Sequence, residues 1–161
     1  MNASTDFENL YRDRGKPPRP RILFLCTGNS CRSQMAEGWA RALIGERFDV
    51  HSAGIRAHGL NRVAVQVMAE AGVDISSQRS KTIERLGNLQ FDFVVTVCDD
   101  AQESCPVFPG DAKTIHHSFD DPPRLAETAG SDDEAMGHYT RVRDEIRDFV
   151  RLLPALLAKF D

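Results

Sequence analysis

Two stretches of this chain are apolar without alternation: Ile22–Leu25, and Phe91–Cys98, "FDFVVTVC", with five β-formers in its core. A strand with one wet face alternates apolar and polar residues, whereas a strand covered on both faces does not. The segments between them carry a different period. Met35, Trp39, Ala42 and Leu43 recur at roughly helical spacing between Ser33 and Gly45, with Gly45 as the stop. Asn61–Ala71 is amphipathic, with Val63, Val67 and Met68 inward and Gly72 closing it. Phe48–Ile55 and Lys113–Phe119 read as two further strands. Ser131-Asp132-Asp133-Glu134 is a capping box. It opens a long helix with Tyr139, Val142, Ile146, Phe149, Val150, Leu153 and Leu157 on one stripe, which Pro154 is expected to kink or end. Strands alternating with helices predict an α/β fold, a four-stranded parallel sheet with helices on both faces. The 161 residues suit one domain, assigned to residues 21–161. Residues 1–20 carry Pro17, Pro18 and Pro20 and no clean periodicity, and read as a flexible extension.

In a parallel sheet, ligands sit outside the carboxyl ends of the strands. Cys26 and Cys98 end the two apolar strands, and Phe119-Asp120-Asp121-Pro122-Pro123 follows the fourth. A net charge of −4 argues against a nucleic-acid partner, which needs a basic face. A small anion needs only local positive potential. No apolar run approaches the roughly 18 residues of a membrane helix, and "MNASTDFENLYRDRGKPPRPR" has no apolar core of a secretory signal. The expected location is the cytoplasm, with no membrane partner. Four cysteines in such a chain point away from structural disulfides. Catalysis, redox cycling, metal binding and inert burial remain.

Cys26 to Arg32 fits C-x5-R, followed by Ser33. A loop between a strand and a helix N-terminus turns several backbone N–H groups toward one point. Gly28 and Asn29 tolerate the left-handed angles such a cradle needs. The Arg32 guanidinium pairs two oxygens of a tetrahedral oxyanion. The same field favours thiolate at Cys26, whose pKa at such positions falls to about 3.5–7.5. Ser33 can donate its hydroxyl to that sulfur. The loop thus reads as an oxyanion cup, residues Thr27, Gly28, Asn29, Ser30, Cys31, Arg32 and Ser33, with a nucleophile at its floor. Cys98 and Cys105 lie further on, six residues between them. Zinc sites favour closer pairs. His116 and His117, adjacent on a strand, point to opposite faces and cannot easily share one ion. No metal is expected; two inert thiols are the plainer alternative.

"CTGNSCRSQMAEG" resembles the active-site loop of the low-molecular-weight protein tyrosine phosphatase fold, and most of all the thioredoxin-coupled arsenate reductases built on it. Thr27 and Ser30 give the loop the polar flank of those reductases. The resemblance spans about residues 21 to 157. It implies that Cys26 attacks arsenate, that Cys98 then attacks Cys26 as arsenite leaves, and that Cys105 resolves the bridge as Cys98–Cys105. Thioredoxin, or alternatively glutaredoxin with glutathione, would reduce that last disulfide. No tightly bound cofactor is implied. Phosphate or sulfate would fit as analogues, with weak phosphatase activity. The bridges require Cα atoms within about 7 Å, so the polar run "DDAQES" after Cys98 is expected to be mobile.

The family's acid lies in an Asp-Pro step, which selects Asp121 before Pro122, with Asp120 as the fallback. Asn29 is expected to brace the loop, Cys31 to point away from the cup, and Trp39 to pack on the sheet. In some relatives an asparagine, a glutamate, a serine and an aspartate surround a monovalent cation. Asn29, Glu37 and Ser52 match three of these, and Lys81 stands at the fourth, where its ammonium would replace the ion. Two other readings compete: a tyrosine phosphatase on the same loop, and a non-enzymatic oxyanion sensor. Cys98 and Cys105, and Pro123-Arg124 where phosphatases commonly place aromatics, favour the reductase.

Overall fold

The structure is a computed structural model, and it describes residues 18–98, 108 and 110–160. Cys105, the run at 99–104 and most of the expected N-terminal extension lie outside the described residues. Four strands form one parallel sheet: β1 (Arg21–Cys26), β2 (Asp49–Gly54), β3 (Phe93–Thr96) and β4 (Lys113–His116), in the order β2-β1-β3-β4. β1 lies inside the sheet, with Phe24 opposite Ser52 on one side and Val95 on the other. That position explains its unbroken apolar run, since Ile22 to Leu25 are fully buried.

One face carries the larger core. Ile22 and Phe24 point into it, met by helices α1 (Arg32–Ile44), α2 (Arg62–Glu70) and α4 (Asp132–Ala158). All seven residues expected on the long stripe, from Tyr139 to Leu157, are buried. Leu23 and Leu25 point the other way, onto Ala53, Leu86, Phe91 and Val94. On that face the described residues contribute one 3-10 turn, Ile83–Leu86. A short helix, α3 (Pro122–Glu127), packs on α4.

Local departures from expectation have simple causes. The inward stripe of α1 is Met35, Ala36, Trp39, Ala40 and Ile44, while Ala42 and Leu43 face outward, Leu43 being 40% exposed. Trp39 reaches α4, where its Nε1 donates to Arg143 O at 3.1 Å. In the capping box, Ser131 Oγ accepts from Glu134 N, but Glu134 Oε2 accepts from Gly130 N, one residue ahead of the usual partner. Pro154 does not end α4, which runs four residues further to Ala158. So near the end, a missing N–H forfeits one ladder bond and little else.

Candidate active site

The Cys26–Arg32 loop joins the end of β1 to the start of α1. Its shape is held from outside by carbonyls. Thr27 O accepts from Arg56 N, Gly28 O from His58 N, Ser30 O from Asn61 N and Cys31 O from Met35 N, at 2.9–3.1 Å. Asn29 O accepts from Gln34 Nε2 at 3.1 Å, and Gly28 O also from Ser80 Oγ at 3.2 Å. A trans peptide holds its N–H opposite its C=O. Five carbonyls turned outward therefore aim the N–H groups of residues 28–32 the other way, into one concavity. Residues 56–61 supply three of these donors; the sequence reading gave Arg56 and His58 no role and placed Asn61 only at the start of an amphipathic helix.

Two glycines let the backbones come this near. A Cβ on Gly54 would lie 2.7 Å from Thr27 O, 2.8 Å from Arg56 O and 2.8 Å from Asn29 N. A Cβ on Gly28 would lie 2.5 Å from Nδ1 of His58, a residue to which the sequence gave no role.

Asn29 is the hub. It is fully buried and has φ +45°, the left-handed region that asparagine tolerates better than most residues. Its Nδ2 donates to Ser33 Oγ at 2.9 Å and Ser52 Oγ at 3.0 Å. Its Oδ1 accepts from Gln34 Nε2 and from Lys81 N, both at 2.9 Å. Ser52 Oγ in turn donates to Glu37 Oε1 at 3.0 Å. Glu37 is 2% exposed, and Lys81 Nζ stands 3.6 Å and Arg41 Nη2 3.8 Å from the same oxygen. Lys81 Nζ also donates to Arg79 O at 3.1 Å. All four residues expected around a cation thus meet in one network, with an ammonium among the oxygens. Gln34 and Gln78, which sequence reading missed, tie residues 78–81 to the same network, Gln78 Nε2 donating to Gln34 Oε1 at 2.8 Å.

Arg32 is 4% exposed. Its Nη1 donates to Phe119 O at 3.2 Å, and Nη2 lies 3.7 Å from Asp121 Oδ1. The Asp-Pro step therefore faces the cup. Asp120 turns out to solvent and pairs with Arg141 at 3.0 Å, which leaves Asp121 as the carboxylate at the site. Cys26, Ser33 and Cys31 are buried, and Thr27 and Ser30 half-buried. Cys31 joins the apolar core, and burial pushes its thiol well above the usual range, partly offset by Arg32. It is a neutral thiol, unfit as a nucleophile.

Cys98 is fully buried just past β3, with its Sγ 3.9 Å from the carbonyl of Leu25, the residue before Cys26. Val97 N donates to Leu25 O at 3.0 Å, the last bond of the β1–β3 ladder, and both cysteines lie just past it. Among the described residues no group of three or more metal-ligating side chains occurs, and no helix is long and apolar enough to cross a membrane.

The profile of the low molecular weight phosphotyrosine protein phosphatase family matches residues 21–160. The chain belongs to that family. Within it, the chain is 52% identical over 125 residues to an arsenate reductase of Bacillus subtilis strain 168, covering 78% of this chain and 88% of that protein. Among solved structures, it is similar to an arsenate reductase from Archaeoglobus fulgidus, with a TM-score of 0.67 and 30% identity over 82% of this chain and 97% of that one. An arsenate reductase in the phosphate binding state matches with a TM-score of 0.63 and 28% identity, over 88% and 99% of the two chains. The four-stranded parallel fold expected from the sequence is thus the family's fold.

Proposed function

We propose that this chain is an arsenate reductase that converts arsenate to arsenite through Cys26, Cys98 and Cys105, within a single catalytic domain of residues 21–161. Arsenate enters the cup, held by the N–H groups of residues 28–32 and the Arg32 fork. Cys26 thiolate attacks arsenic, and an As–O bond breaks as an S–As bond forms. Asp121 protonates the departing oxygen, which leaves as water. Cys98 thiolate then attacks the Cys26 sulfur. The S–As electron pair passes to arsenic, which falls from the +5 to the +3 state and leaves as arsenite, while two thiolates become one disulfide. Cys105 attacks Cys98, frees Cys26 and leaves a Cys98–Cys105 bridge. An external dithiol, thioredoxin or else glutaredoxin with glutathione, reduces that bridge.

The observation that carries this reading is the position of Cys98, buried two residues beyond the strand that pairs with β1 and next to Leu25 O. A phosphatase mechanism has no task for a second sulfur there. The names of the relatives point the same way. The hydrogen-bond order around Asn29 supports thiolate at Cys26. Because Asn29 donates to Ser33 Oγ, the Ser33 proton is left to point elsewhere, and we assign it to the sulfur. Lys81 stands in for a monovalent cation, balancing the buried Glu37.

The test is NADPH oxidation by the protein with thioredoxin and thioredoxin reductase, started with arsenate. Steady oxidation is expected, and its loss in Cys26→Ser, Cys98→Ser and Cys105→Ser. Glutaredoxin and glutathione replace the first pair if oxidation is absent. Silence with both donors, together with turnover of an aryl phosphate, assigns the cup to a phosphatase.

A further inference from the structure

Asn61 spends every polar group it has. Its backbone N–H donates to Ser30 O in the cup. Its Oδ1 accepts from Val63 N and Ala64 N at 2.9 and 3.0 Å, which caps α2. With the oxygen so fixed, the amide cannot flip, and Nδ2 must point away from the helix. There it donates to the phenol oxygen of Tyr139 at 3.2 Å. Tyr139 belongs to α4 and is 5% exposed. The same helix carries Arg141, which holds Asp120, the neighbour of Asp121, at 3.0 Å. One helix therefore grips the cup through Tyr139, Asn61 and Ser30, and the acid loop through Arg141 and Asp120.

We propose that Tyr139 is a positioning residue for the acid step: through Asn61 it ties the cup to the helix that carries the acid loop, so that Asp121 meets the departing oxygen in register. This rests on the roles given above to Cys26 and Asp121. The phenol stays neutral: burial, with the nearby Asp121 carboxylate behind it, raises its pKa against the Asn61 bond. As a neutral hydroxyl it accepts from Asn61 and keeps its own proton, so the link holds across the working pH range.

The experiment is a single turnover of the fully reduced protein, with arsenite counted per chain, so that no external donor is involved. Asp121→Asn alone is expected to slow the step by about a hundredfold or more, the usual contribution of a general acid. Tyr139→Phe, nearly isosteric, is expected to slow it about tenfold, a share of that contribution, with the KM for arsenate within about twofold. Placed on Asp121→Asn, Tyr139→Phe should cost nothing further, because there is no acid left to align. If Tyr139→Phe does not fold, Asn61→Ser keeps a capping oxygen for α2 and is too short to reach Tyr139, and the same loss is expected. A wild-type rate in the single variant overturns the proposal, as does an equal tenfold loss in both backgrounds, which a purely structural role would give. A wild-type rate in Asp121→Asn removes the acid assignment first and the proposal with it.

Discussion

Replacing Asn29 tests how the cup is held. Asn29→Ala and Asn29→Gly both delete the same four side-chain hydrogen bonds, to Ser33, Ser52, Gln34 and Lys81. The partners differ in what they can do next. The two serine hydroxyls rotate, and Gln34 Nε2 keeps Asn29 O and Arg79 O, so these three cost about 0.5–1 kcal/mol each. The Lys81 N–H is backbone and cannot turn; stranding it costs about 1–3 kcal/mol. Each variant should therefore lose roughly 2.5–6 kcal/mol, a large part of the usual 5–15 kcal/mol. The two should then separate on backbone grounds. At φ +45° an alanine pays about 1–2 kcal/mol that glycine does not, less the roughly 0.5–1 kcal/mol of extra freedom glycine surrenders on folding. Alanine should be the less stable, by up to about 1.5 kcal/mol. Urea unfolding of both variants against wild type measures these gaps. Iodoacetamide alkylation against pH should show the Cys26 midpoint rising equally in both, since both free Ser33. Losses below about 1 kcal/mol in both would refute the bond count. An alanine variant more stable than the glycine one would refute the strain at φ +45°.

Three further outcomes follow from the same geometry. Potassium should barely move the melting temperature of the wild type, whereas Lys81→Met should gain a potassium-specific stabilisation; a large, specific potassium effect on the wild type would remove Lys81 from that role. Gly54→Ala, whose Cβ would meet backbone on three sides within 2.8 Å, should cost at least about 1–3 kcal/mol of stability and most of the turnover, seen by thermal melting and the coupled assay. Burial works against the Asp49 carboxylate, but His51 and Arg21 win and hold its pKa below the ordinary 3.8. Its stabilisation is therefore present above about pH 4 and is lost as pH falls through the depressed value. The stability gap between wild type and Asp49→Asn, measured by urea unfolding across pH, should close on acidification below pH 4.

What was legible in the sequence was whatever is contiguous. β1, the cup and the start of α1 form one uninterrupted stretch, and each residue type there has a local reason. The α4 stripe was legible because seven apolar positions over five turns admit few alternatives. The placement of Asp121 came from resemblance rather than pattern, and the geometry separates it from Asp120 by giving the latter to Arg141. What was hidden acts through backbone or across long separations. The donors from Arg56, His58 and Asn61 are main-chain N–H groups, and any non-proline residue supplies one. Ala42 and Leu43 were misplaced because a short helix leaves the rotation of its stripe loosely set when apolar residues occupy two faces. The bond from Trp39 to Arg143 O was hidden because α4 comes a hundred residues later.

The pairing of β1 with β3 has a consequence beyond geometry. Cys26 and Cys98 sit far apart along the chain and become neighbours only when two central strands, separated by a whole crossover of strand and helices, have docked. Closing so long a loop is among the slow steps of folding. On the proposed relay, a nascent or partly unfolded chain therefore has an ordinary thiol at position 26, without the cup proposed to activate it or the sulfur proposed to complete its chemistry. The reactive state is switched on by the completed fold, and arsenate turnover per thiol becomes a direct measure of the fraction of chains that have finished folding.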